Sequence, residues 1–275
     1  MQIVVTGGSS GVGAALVERL ITSGHKVFSL DVTSPKSSSD EVEYVHCDLA
    51  DEAVIDAALK QLPDTIDALA NVAGIARAES GVTVLAVNFL GLRHLTGSLL
   101  ERLPTHGSVV SVSSVAGRDW HARYDRLRPL LDTTSMSEGL RWCEENEDWI
   151  NRDPYSFSKR CVTAYTLREA QLFCAQSKQI NCVSPGVIDT PLYPQFEALM
   201  GEDQSDWMIA QAGRSATPDE IAQVIDMLIS NGATYLNGAD IPVDGGYSAG
   251  LESGWIDFAD SPVMREHAKS RAVKS

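Results

Sequence analysis

The sequence predicts an α/β fold built on one doubly wound parallel sheet, and three observations predict it. Short runs rich in Val and Ile alternate with longer runs of helical periodicity, the pattern of buried strands joined by crossover helices. A glycine-rich turn, "TGGSSGVG" at 6–13, sits between the first such strand and the first such helix. No linker or internal repeat splits the chain, and 275 residues at 44% hydrophobic and 21% charged suit one domain over 1–275.

Taken in order, "QIVV" (2–5) reads as a strand and "GAALVERLITSG" (13–24) as a helix with Gly24 at its C-cap. "KVFSLD" (26–31) and "VEYVHC" (42–47) are strands, and "DEAVIDAALKQL" (51–62) is helical. "DALANVAG" (67–74) is a strand ending in a glycine turn, followed by a long apolar-faced helix over 81–103. A strand over 107–114, a helix over 155–177 and a strand over 179–184 come next. A helix over 218–230 and a last strand over 239–246 complete the alternation. Two stretches break the rhythm: a charged, Trp-containing segment at 115–154, and a polar tail at 247–275 with Trp255 and Phe258.

The formal net charge is −15, with a sequence pI near 4.7. Such a surface repels phosphate backbones and anionic lipid, so neither nucleic acid nor a membrane is expected as a partner. No basic n-region, no apolar h-region and no run approaching about 18 apolar residues is read in the sequence. The five cysteines have no C-x-x-C spacing. That favours reduced thiols in the cytoplasm and no metal site.

In the first turn, glycines at 7, 11 and 13 allow a tight bend and close backbone approach, and the helix N-terminus behind them offers donors to a pyrophosphate. Asp31 closes the second strand, where a carboxylate accepts hydrogen bonds from a ribose diol and repels a 2′-phosphate. With no Arg or Lys at 9, 10 or 32, NAD is expected rather than NADP; Lys36 is the nearest cation. Gly7-Gly8-Ser9-Ser10-Gly11 also fits the G-x-S-x-G nucleophile elbow of serine esterases. No strand precedes it to supply an oxyanion loop, and the only late histidine, His267, falls in the polar tail.

"DPYSFSKR" (153–160) places Tyr155 and Lys159 four positions apart, on one helical face. With "TGGSSGVG", Asp31, "CDL" (47–49), "NVAG" (71–74), "VN" (87–88), "SVSS" (111–114), "YSFSK" (155–159) and "SPGVIDTPL" (184–192), the chain resembles the single-domain short-chain dehydrogenase/reductases from residue 2 to about 247. The long 115–154 segment and the early Asp31 are most similar to the bacterial 3α-hydroxysteroid dehydrogenase/carbonyl reductase subgroup.

The resemblance implies a Rossmann fold and a role for each matched position. Gly7, Ser10, Gly11, Val12 and Gly13 would bind the pyrophosphate, Asp31 the adenosine ribose, and Asp48 and Leu49 would flank the adenine. Asn71, Ala73 and Gly74 would line the cofactor beyond the fourth strand, and Pro185, Gly186, Val187 and Thr190 would hold its nicotinamide side. Ser114, Tyr155, Lys159 and Asn88 would form the catalytic set, with Tyr155 and Lys159 also touching the cofactor.

These residue types suit hydride transfer at a carbonyl, which needs a proton moved at the oxygen. A free phenol titrates near 10, and a nearby ammonium is expected to lower that value for Tyr155. Ser114 can orient the oxygen; Ser113 is its rival, and strand alternation lets only one face the site. Asn88 could hold a water beside Lys159 or simply satisfy helix backbone.

The expected protein is an NAD-dependent oxidoreductase for an apolar secondary alcohol or its ketone, steroid-like or alicyclic. The alternatives are a catalytically silent cofactor-binding regulator and, more remotely, the esterase. Residues 191–214 resemble the family's substrate loop, and Tyr193, Phe196, Met200, Trp207 and Met208 suggest an apolar substrate face. His121, Tyr124, Trp142 and Trp149 read as packing aromatics or as substrate contacts. The 115–154 insertion would obstruct the family's common helix-paired tetramer, which favours a homodimer through another surface.

Overall fold

The computed structural model describes residues 1–35, 40–230 and 233–272. Seven strands, β1 (Gln2–Thr6), β2 (Lys26–Asp31), β3 (Val42–His46), β4 (Ala68–Asn71), β5 (Ser108–Val112), β6 (Gln179–Pro185) and β7 (Asp240–Val243), form one sheet in the order β3-β2-β1-β4-β5-β6-β7. Every pairing is parallel. The order reverses direction between β1 and β4, and ligands in such sheets bind outside the strand C-termini at that switch.

One face of the sheet is covered by α1 (Gly11–Thr22) and α11 (Pro218–Ile229), packed on each other. Leu16 and Leu20 of α1 and Ile221, Ile225 and Ile229 of α11 are fully buried against Ile3, Val5 and Val27. Thr217 starts α11 with a reciprocal capping box to Glu220, which satisfies two otherwise orphaned N–H groups.

The other face is covered by α2 (Glu52–Leu59), by a long helix over Gly81–Arg102, and by α8 (Pro154–Ala175). The long helix is α3 (Gly81–Leu85), a π-helical stretch (Ala86–Gly91), α4 (Leu92–Leu99) and a 3₁₀ turn (Leu100–Arg102). It corrects the sequence reading that no run approaches a membrane span: by length and composition Gly81–Arg102 qualifies, yet it is largely buried. Its Leu85, Phe89, Leu90 and Leu95 are core side chains. α8 begins at residue 154 because Asp153 caps it, accepting from Ser156 N, and Pro154 fits the first turn.

The 115–154 insertion is helical: α5 (Trp120–Leu131), α6 (Met136–Glu145) and α7 (Glu147–Ile150) follow a 3₁₀ turn at Val115–Gly117. α5 lies on α8, and α6 lies on the π-helical stretch. Arg93 pins this layer with hydrogen bonds to Leu130 O, Thr133 O, Thr133 Oγ1 and Ser135 O. The loop at 191–214 is also helical, as α9 (Tyr193–Met200) and α10 (Glu202–Ala212), separated by Gly201 at φ 88°. The tail contributes α12 (Tyr247–Ser253), a 3₁₀ turn (Phe258–Asp260) and α13 (Pro262–Ala272). Lys36 lies outside the described residues, as does the side chain of His267.

Candidate active site

The glycine turn is built by close approach rather than by side chains. Gly7 has φ 72°, and a Cβ there would sit 2.8 Å from Ala73 Cα; one on Gly13 would overlap the Gly7 carbonyl. Thr6 Oγ1 accepts from Val72 N and Ala73 N at 3.0 and 3.1 Å, locking the β1 and β4 turns together. Asp31 lies at the mouth of the turn, its carboxylate accepting from Ser9 N and Thr33 N, each at 3.0 Å. Ser9 Oγ donates to Thr33 O, so the hydroxyl that an esterase would need as nucleophile is spent on a backbone carbonyl.

A cavity of about 1310 Å³ runs from this turn past the ends of β4, β5 and β6 and under α9 and α10. Gly7, Ser10, Gly11, Val12, Gly13, Asp31, Asp48, Leu49, Ala73, Gly74, Pro185, Gly186, Val187 and Thr190 line one part of it. Thr190 closes over Gly11, with 3.6 Å between Thr190 Cγ2 and the position of a Gly11 Cβ. Bare backbone on the floor, a helix N-terminus and a carboxylate at the rim fit a dinucleotide.

Asn71 does not belong to these walls. It is 1% exposed, and its amide donates to Thr96 Oγ1 and Ser111 Oγ, joining β4 to α4 and β5. The expectation that it lines a cofactor fails because its side chain turns into the helix layer. Asn88 is likewise fully buried: it accepts from Ile75 N at 2.8 Å and donates to Ile75 O and Ser158 Oγ. Its side chain therefore fixes the loop after Gly74.

Ser114, Tyr155 and Lys159 converge on the middle of the cavity. Ser113 Oγ instead bonds Lys159 O and Thr163 Oγ1 inside α8. Ser114 caps the following 3₁₀ turn, its Oγ accepting from Ala116 N, and stands near enough to the Tyr155 phenol to oppose its rise. Lys159 Nζ donates to Val112 O at 2.7 Å and lies 5.8 Å from the Tyr155 ring centre. A Cβ on Gly74 would stand 3.4 Å from that ammonium, so a glycine here leaves the lysine open to the cavity.

The expected lowering of the phenol is reversed. Burial pushes Tyr155 up to about 12, opposed only by the Ser114 hydroxyl, and burial pulls Lys159 down to about 8. The ammonium points at the Val112 carbonyl rather than at the phenol oxygen, and Phe196 covers the tyrosine ring at 4.8 Å. Desolvation therefore sets the direction of both shifts.

The cavity beyond Tyr155 is apolar. Tyr193, Phe196, Met200 and Met208 line it, as the sequence suggested. Trp207 does not; it packs on Tyr247 and Phe258. In the insertion, Tyr124, Trp142 and Trp149 pack against the core and are absent from the cavity, and Trp142 and Trp149 stack around Phe157. Sequence reasoning missed Tyr247, Leu251, Phe258 and Val263, tail residues that reach the same cavity. Only their apolar character in a polar tail was visible beforehand.

Fold and cavity together define a Rossmann-type α/β oxidoreductase in which Ser114, Tyr155 and Lys159 share one cavity. The chain belongs to the short-chain dehydrogenase/reductase family. The family model described as short chain dehydrogenase matches residues 1–124, and that described as Enoyl-(Acyl carrier protein) reductase matches residues 141–248. The gap between them falls within the insertion. Coniferyl-alcohol dehydrogenase of Pseudomonas sp. (strain HR199) is 35% identical, covering 90% of this chain and 96% of that protein. The 3-alpha-hydroxysteroid dehydrogenase/carbonyl reductase of Comamonas testosteroni is 27% identical, over 90% of this chain and 96% of that one. The solved 3-alpha-hydroxysteroid dehydrogenase of Pseudomonas sp. B-0831, complexed with NADH, superposes with a TM-score of 0.77 at 26% identity, covering 94% of this chain and all of that one.

Proposed function

We propose that the protein is an NAD-dependent dehydrogenase interconverting an apolar, ring-bearing alcohol and its carbonyl compound. The observation that carries this reading is the position of Ser114, Tyr155 and Lys159 where a glycine-floored chamber meets an apolar one. Bound in the first chamber by Gly7, Gly11, Asp31, Gly186 and Thr190, a nicotinamide cofactor supplies the hydride acceptor or donor. Tyr155 takes the hydroxyl proton in oxidation and returns it in reduction. Ser114 holds the substrate oxygen, and Lys159 supplies positive charge beside the phenol below its own titration near 8.

NAD rather than NADP is favoured by the Asp31 carboxylate, which two backbone N–H groups hold at the rim, and by the NADH bound to the Pseudomonas neighbour. The steroid dehydrogenase relatives favour a secondary alcohol with a steroid-like or alicyclic body. A second reading, a primary aryl-allyl alcohol, is favoured by the 35% identity to coniferyl-alcohol dehydrogenase. A silent cofactor-binding regulator is disfavoured by the intact triad, and the esterase by the occupied Ser9 hydroxyl. We further infer that the chain works as one domain, in the cytoplasm, where its five free cysteines suit reduced surroundings, and as a homodimer.

The test is NADH formation from a panel of alicyclic secondary alcohols and coniferyl alcohol, with NAD+ and NADP+ in parallel. Turnover with NAD+ at a kcat/KM well above that with NADP+ supports the proposal. No turnover with any alcohol contradicts it, and equal use of NADP+ contradicts the role of Asp31.

A further inference from the structure

The C-terminal segment lies beyond residue 248, where the second family match stops. Its side chains nonetheless enter the cavity. Leu251 of α12, Phe258 of the 3₁₀ turn and Val263 of α13 line the end remote from the glycine turn.

The same segment grips the helix that roofs this end. Trp207 of α10 makes edge-to-face contacts with Tyr247 and Phe258, ring centres 6.1 and 6.0 Å apart. Gln204, only 7% exposed, accepts a hydrogen bond from Val263 N, so a buried lid side chain ties down the start of α13. Phe258 thus does two things at once: one ring faces the cavity and also braces Trp207.

Part of the polar surface of this roof is already engaged. Tyr193 and Ser205 hydroxyls bond each other at 2.9 Å, and the Gln204 carbonyl oxygen is taken by Val263. What this end offers a substrate is apolar area and shape.

We propose that Phe258 and Val263 are specificity-determining residues: the C-terminal segment forms the far wall of the substrate chamber and fixes α10 over it, selecting alcohols with an apolar ring body. The proposal rests on the dehydrogenase reading above. Removing the Phe258 ring enlarges the chamber and releases Trp207 together, so a ring-bearing substrate loses contact area and a small one has little to lose.

The experiment measures two quantities in wild type, Phe258→Ala, Phe258→Leu and, as a remote surface control, Tyr235→Ala. The first is the ratio of kcat/KM for coniferyl alcohol to that for 2-butanol with NAD+. The second is the Kd of coniferyl alcohol by calorimetry, with and without NADH. Phe258→Ala is expected to lower the ratio at least tenfold and to weaken binding by a similar factor. Phe258→Leu should regain most of both losses, and Tyr235→Ala should move neither. An unchanged ratio and Kd in Phe258→Ala, or equal losses in Tyr235→Ala, overturn the proposal. If wild type turns over neither alcohol, the dehydrogenase reading falls, and the binding measurement alone decides the role of Phe258.

Discussion

Ser113 and Ser114 are neighbours of identical chemistry, and backbone direction separates their work. The first hydroxyl closes α8 against β5; the second reaches the Tyr155 phenol. Ser114→Ala is therefore expected to cut kcat/KM by roughly 10²–10³, the usual cost of losing one oxyanion-type donor. Ser113→Ala should instead cost about 1–2 kcal/mol of stability by leaving buried partners unsatisfied. Urea denaturation and steady-state rates on both variants check this, and the reverse pattern would move the catalytic role to 113. A phenol raised to about 12 stays protonated at neutral pH, ready to donate in carbonyl reduction, and is a base only as pH rises. Alcohol oxidation should climb through the alkaline range while reduction falls. Burial pulls the Lys159 ammonium down to about 8, so it is neutral over that limb; Lys159→Met should leave the limb in place, lower oxidation below about pH 8 and raise the KM for NAD+. Unchanged profiles in that variant would leave Lys159 with no electrostatic role.

At the scale of elements, the strands, the glycine turn and the Tyr–Lys helix were legible in the sequence because each rests on local rules. Asp153-Pro154 announces the start of α8, and Val/Ile-rich runs announce buried parallel strands. The helices of 115–154, 191–214 and 247–272 were not legible. α5 carries Pro129 in its interior, α7 has four residues, and α9 buries no residue fully, so none shows a clear apolar stripe. The π-helical stretch was equally hidden, because one wider turn inside an apolar run leaves no compositional mark; it nevertheless contains Asn88. Asn71 misled because its motif neighbours Ala73 and Gly74 do line the cavity, whereas its own side chain, the last of β4, is held by Thr96 and Ser111 inside the helix layer. Besides its buried Leu127, Leu130, Met136 and Ile150, the insertion is held by Arg93, whose burial pulls its guanidinium below the usual value while carbonyls and a hydroxyl take its donors. Arg93→Met should leave those buried acceptors unpaired and cost about 2–4 kcal/mol. Denaturant titration measures the loss, and hydrogen exchange should place it in 120–150; a loss under about 0.5 kcal/mol would mean that apolar packing alone holds the insertion.

For the whole molecule, the sheet reversal between β1 and β4 puts the glycine turn beside the ends of β4 and β5, so one cavity spans both halves of the proposed chemistry. The insertion covers the outer flank of α8 with α5, the flank where the family resemblance places helix pairing between subunits. A homodimer through another surface is the expected assembly, and sedimentation velocity across a concentration series checks it; a tetramer would contradict the role given to the insertion. Proton transfer by Tyr155 is the central step of the proposed chemistry. Its most direct test is NADH formation by Tyr155→Phe at saturating NAD+ and alcohol, with NADH binding followed by fluorescence in the same preparation. Phenylalanine keeps the ring against Phe196 and deletes the transferable proton. The predicted result is a rate lower by about 10³ or more with NADH affinity held within a few-fold. Turnover near the wild-type rate in the folded variant would contradict the account.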